Sequence, residues 1–101
     1  MEYFTISDNI LKEVIFLYIV AGSITVAARL KKLLESASGY PADVVHTPKA
    51  INKTGGCSYS VRASDKLLPI VRPLCSEYNI RIRNIYIERF HNGERVFNAV
   101  S

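Results

Sequence analysis

Cys57 closes the run Thr47-Pro48-Lys49-Ala50-Ile51-Asn52-Lys53-Thr54-Gly55-Gly56-Cys57-Ser58. A thiol in this setting is placed to react. The stretch carries Lys49 and Lys53, follows His46, and holds no acidic residue. Nearby cations favour thiolate over thiol, and the thiolate attacks electrophiles or carries a sulfur atom. Gly55 and Gly56 let the backbone take positive φ and bring amide N–H groups near the sulfur. His46, at the end of a short apolar run, is the candidate base or ionising partner for the thiol. Lys49 and Lys53 are candidates for stabilising a bound anion, and Gly55, Gly56 and Ser58 for shaping the backbone around it. Each feature also has a plainer reading. A free cysteine is often a small buried apolar residue, loop lysines are often only solvated, and a glycine pair often makes an ordinary hairpin turn. Cys75 lies among Leu68 and Leu74 and reads as core. Its alternative is a resolving partner for Cys57, which needs Cα atoms within roughly 7 Å.

The elements that hold this loop follow from patterning. With 101 residues, 49% of them hydrophobic, the chain reads as one folded domain. Residues 14–20 are continuously apolar, so this strand belongs in the middle of a sheet with cover on at least one side. After Ala21 and Gly22, Ser23 is an N-cap candidate. Ile24, Ala27, Leu30 and Leu34 mark one face of a helix over 24–37, with Gly39 suited to its C-terminal left-handed position. Residues 42–47 read as a short strand. Residues 58–63 read as a half-buried strand, with Tyr59, Val61 and Ala63 on one side and Ser58, Ser60 and Arg62 on the other. A second helix is expected over 65–78. Pro69 is tolerable near its first turn, whereas Pro73 is expected to kink or split it. A last strand runs from about residue 80 to Phe90, with a change of phase near Asn84. His91-Asn92-Gly93-Glu94 is a turn, and 95–101 is a short strand or tail. Residues 1–12 read as a tail, an added edge strand or a short helix. The β-α-β-β-α-β order predicts an α+β, ferredoxin-like domain over 13–90, a four-stranded antiparallel sheet with two helices on one face.

These elements, with their loop, resemble the selenium/sulfur carrier-like family of small bacterial domains. The resemblance rests on the apolar first strand ending in Ala21-Gly22-Ser23 and on the helix opening Ile24-Thr25-Val26-Ala27. It rests further on Pro48-Lys49 and on Cys57 at the start of the third strand. It covers roughly residues 13–89. The family pattern has Pro-Arg and Cys-Gly where this chain has Pro48-Lys49 and Cys57-Ser58, with the glycines before the thiol. The resemblance implies that Cys57 holds or passes a sulfur or selenium atom as a persulfide or selenosulfide, between a donor and an acceptor protein.

Composition sets further expectations. The net charge of +4 is modest. The basic residues are scattered, and the strands lack the dense aromatic and basic surface of an RNA-recognition sheet, so nucleic acid is not the expected partner. Two cysteines and two histidines at these spacings fit no metal pattern, and no cofactor is expected. The apolar run at 14–20 is about a third of a membrane span. It follows Glu2, Asp8 and Glu13, the wrong charge for a signal peptide, and a cytoplasmic protein without membrane attachment is expected. The alternative to a carrier is a non-enzymatic module that binds a small ligand or a protein, with Cys57 incidental. Pairing of two copies through the sheet edges is compatible with either reading.

Overall fold

The computed structural model describes residues 15–53 and 55–100. The readings made above for residues 1–12 lie outside these. The order is β1 (Phe16–Gly22), α1 (Ile24–Ser38), β2 (Ala42–His46), β3 (Tyr59–Ser64), α2 (Leu68–Glu77), β4 (Asn84–His91) and β5 (Glu94–Val100). Short 3₁₀ turns at Lys49–Ile51 and Asp65–Leu67 precede β3 and α2. All strand pairs are antiparallel, in the order β2-β3-β1-β4-β5.

The α+β class stands, but the expected four-stranded sheet does not. The sheet has five strands. The additional strand is the segment read as a turn followed by a short strand or tail. Asn92 and Gly93 both take positive φ, 52° and 82°. That pairing makes a tight hairpin whose twist matches the strands it joins. The ladder then runs from His91 opposite Glu94 to Ile85 opposite Val100. Most of β5 is exposed, so its sequence shows weak alternation, and the strand exists because β4 offers a free edge.

Local signals account for the rest. Ser23 caps α1, its Oγ accepting from the Val26 N–H at 3.1 Å. Gly39 ends the helix at φ 78°, its N–H donating to the Glu35 carbonyl. Pro73 lies inside α2, yet the helix is not split. The bond that proline cannot make would go to the carbonyl of Pro69, in the first turn, where little helix precedes it to be broken. The phase change near Asn84 marks the start of β4. Residues 80–83 lead into it, and the Arg83 N–H donates to the Val20 carbonyl at 2.7 Å.

The sheet has two differently dressed faces. Leu17, Ile19, Val61, Ala63 and Ile85 face both helices and pack with Ala27, Leu30, Leu34, Val71 and Cys75 in the main core. The other face carries Tyr18, Val20, Tyr86 and Ile51, with Phe16, Val45 and Phe97 against them. Tyr18 meets Phe97 edge to face, with centroids 5.3 Å apart. On this face Arg95 pairs with the buried Glu88 and stands over Phe97. Arg62 bridges to Asp43 at 3.2 Å and covers the Phe16 ring at 5.2 Å. Attraction to the ring offsets part of the cost of its buried Nε, which has no acceptor among the described residues.

Candidate functional site

Strand register brings four chain segments to one end of the sheet. Gly22, the last residue of β1, pairs with Tyr59, the first of β3. Tyr59 also pairs with His46, the last of β2. Asn84 opens β4 opposite Val20. The thiol of Cys57, two residues before Tyr59, belongs to this end, as does the N-terminus of α1.

The connection from β2 to β3 is closed at its base. The Thr47 N–H donates to the Ser58 carbonyl at 2.8 Å. Its hydroxyl lies 2.9 Å from Ser58 Oγ and 2.7 Å from Ser60 Oγ. All three residues are buried, Ser60 completely. The polar side of β3 therefore faces inward at its first residues, where the alternation had suggested a solvent side. The hydroxyls satisfy one another, which is the condition for burying them. Above this base the 3₁₀ turn drives Ile51 into the second core cluster. Asn52 Nδ2 donates to the Gly56 carbonyl at 2.7 Å and braces the glycine pair, with Gly55 at φ 77°.

The thiol lies on the connection just before β3, outside the strand ladder, and not under either core cluster. Cys57 is exposed and free. Cys75 is buried and free, and burial pushes its thiol pKa up against the opposing charge of Arg72. The two sulfurs therefore occupy opposite environments.

The other expected residues are placed as follows. His46 stacks its ring on Tyr59, with centroids 4.8 Å apart. Lys49, Lys53, Gly55 and Gly56 are exposed along the loop. Among the described residues no hydrogen bond or ion pair joins His46, Lys49 or Lys53 to Cys57. Within the same residues, no group of three or more His, Cys, Asp or Glu side chains is arranged to hold a metal ion. No helix among them is long and apolar enough to cross a membrane. Sequence reasoning missed Thr47, Ser60 and Asn52, which shape the loop. The available signal was a row of hydroxyl residues, Thr47, Ser58 and Ser60, at both ends of one connection.

The family model described as "Putative Se/S carrier protein-like" matches residues 16–87, more than half of the chain. The chain belongs to this family. The matched span runs from the first residue of β1 into β4, so it contains the Cys57 loop and the sheet end that carries it. Comparison with curated proteins and with solved structures gives no match.

Proposed function

We propose that this member of the carrier-like family uses Cys57 as the acceptor thiol for a sulfur or selenium atom. The observation that carries the reading is the exposed, unbonded sulfur of Cys57 on a connection whose base is pinned. In the proposed step the Cys57 thiolate attacks the outer sulfur of a donor persulfide, R–S–SH. A new S–S bond forms at Cys57, the donor S–S bond breaks, and the donor leaves as R–S⁻. With R–S–SeH the same exchange yields a selenosulfide. The oxidation states balance within the transfer, so no outside oxidant enters. Release to an acceptor thiolate repeats the exchange in reverse. The chemistry calls for a donor and an acceptor protein. From the domain itself it asks for an accessible sulfur and a shape that lets partners approach. Lys49, Lys53 and His46 are the groups of the loop available to stabilise the anionic chalcogen, with Gly55, Gly56 and Ser58 shaping the backbone beside it.

The test is loading with a small-molecule persulfide, followed by peptide mass spectrometry. One added sulfur is expected on the Cys57 peptide, absent in Cys57→Ser and retained in Cys75→Ser. No increment on that peptide, or one confined to Cys75, overturns the proposal. A second reading, a binding module with an incidental thiol, is favoured by the lack of any hydrogen bond or ion pair to Cys57 from the loop cations. It predicts partner binding unchanged after the thiol is blocked.

A further inference from the structure

A cavity of about 400 Å³ opens between the first half of α1 and the link from α2 to β4. Val26, Arg29, Asn79, Ile80 and Arg81 line it. Two of these residues are arginines and none is acidic. Three cations are paired with carboxylates, Arg62 with Asp43, Arg95 with Glu88 and Lys31 with Glu35; the two arginines of this cavity belong to the cations that are not, among the described residues. Arg81 makes no ion pair among the described residues. Arg29 spends one donor on the Tyr78 carbonyl at 3.0 Å, which fixes its reach and leaves the rest of a five-donor fork.

The backbone holds this geometry. Asn79 takes φ 57°, turning the chain sharply after α2. The Ile80 N–H then donates to the Cys75 carbonyl at 2.8 Å, and the Ile80 side chain is buried beneath the cavity. Two arginines line one concavity, and like charges there favour an anion between them. Planar guanidinium forks match the oxygens of phosphate and carboxylate groups. The volume falls in the range of small-molecule sites, and Val26 and Ile80 supply an apolar wall.

We infer that this cavity binds a small molecule through an anionic phosphate or carboxylate group held by Arg29 and Arg81, with the ligand's apolar body against Val26 and Ile80. The site lies at the same end of the sheet as Cys57, since Val26 belongs to the first turns of α1 and Arg81 leads into the start of β4. Binding there is independent of whether Cys57 carries a chalcogen.

The test titrates the full chain with inorganic phosphate and, separately, with acetate, ionic strength being held constant with sodium chloride. Backbone amide shifts are followed by NMR. Saturable shifts are expected at Val26, Asn79, Ile80 and Arg81, described by one dissociation constant. Arg29→Gln and Arg81→Gln are each expected to weaken binding about tenfold, as fits the loss of one charged hydrogen-bonding partner. Tighter phosphate assigns a phosphate group to the ligand, and tighter acetate a carboxylate. Cys57→Ser is expected to bind unchanged, which separates this site from the carrier reading. Shifts that rise without saturation, that are reproduced by chloride, or that persist undiminished in both arginine variants overturn the inference.

Discussion

Thr47→Val tests whether the hydroxyl cluster fixes the base of the Cys57 loop. Valine keeps the β-branched shape, so the strand end and its packing are preserved. What disappears is one oxygen, bonded at 2.9 Å to Ser58 and at 2.7 Å to Ser60. Ser58 is 3% exposed and Ser60 0%, so water does not replace the lost partner. Each stranded hydroxyl costs about 1–3 kcal/mol, and some relief comes from rotation toward nearby carbonyls, giving about 2–4 kcal/mol in all. For a domain of this size that is a fall in Tm of roughly 10–20 °C. The decisive measurement is the triple variant Thr47→Val, Ser58→Ala, Ser60→Ala in urea unfolding. With no hydroxyl left to strand, it should lie within about 1 kcal/mol of wild type, since removing all partners together is nearly neutral. The m-value should not move. The bond from the Thr47 N–H to the Ser58 carbonyl survives in every variant. Alkylation of Cys57 in the native state should therefore change by no more than a few fold. A single-variant cost under about 0.5 kcal/mol, or a triple variant worse than Thr47→Val alone, refutes the reasoning.

Gly22→Ala should lose about 1–3 kcal/mol, because Gly22 sits at φ 91°. A Cβ there also meets the Arg83 guanidinium at 3.1 Å. That side chain can swing away, so Arg83→Ala in the same background should not restore the Tm. Full restoration would show that the strain was steric and not in the backbone. Glu35 has its pKa lowered, first by the hydrogen bond from Lys31 and then by the Ala42 N–H. Its contribution is present above the ordinary carboxyl value of 4.5 and is lost as pH falls through the lowered native value. Glu35→Gln should flatten that acid-side loss in urea midpoints measured against pH, and an unchanged profile would contradict it. Iodoacetamide at neutral pH should label Cys57 in the folded protein, whereas Cys75 should wait for unfolding. Equal native labelling of both would show that the burial of Cys75 is not maintained in solution.

The parts of this fold that were legible in the sequence are those fixed by local chemistry. Ser23 and Gly39 bound α1 because one supplies an oxygen to orphan amides and the other tolerates a left-handed turn. The continuous apolar run in β1 announced a strand with neighbours on both sides, and it pairs with β3 and β4. The parts that were not legible depend on long-range pairing. β5 was read as a short strand or tail after the Asn92-Gly93 turn, and its place in the sheet rests on a long ladder with β4. The 3₁₀ turn that buries Ile51 sits inside a stretch whose glycines, lysines and asparagine read as featureless loop. Pro73 was expected to kink or split its helix; the helix is not split, since the missing bond falls so near the helix start that little is lost. At the candidate site the residue types were readable and their mutual placement was not. His46, a candidate base or ionising partner for Cys57, has its ring on Tyr59, because register sets those two side chains directly across from one another.

Cys57 is exposed on the connection just before β3, whose register fixes where that connection ends. A one-residue change of register at the start of β3 would carry Ser58 and Ser60 toward the helix-covered face and Val61 and Ala63 to the other, because side-chain direction alternates along the strand. Two contacts oppose that slip. Thr47 bonds both the backbone and the side chain of Ser58, and Ser60 fills the next inward position with a hydroxyl that needs the same partner. A slip would strand those groups and take Val61 and Ala63, which are 0% and 2% accessible, out of the main core. Burying each of those side chains contributes on the order of a kcal/mol or more. The register that leaves Cys57 just beyond the first residue pair of β3 is therefore held by the core and by the hydroxyl cluster together.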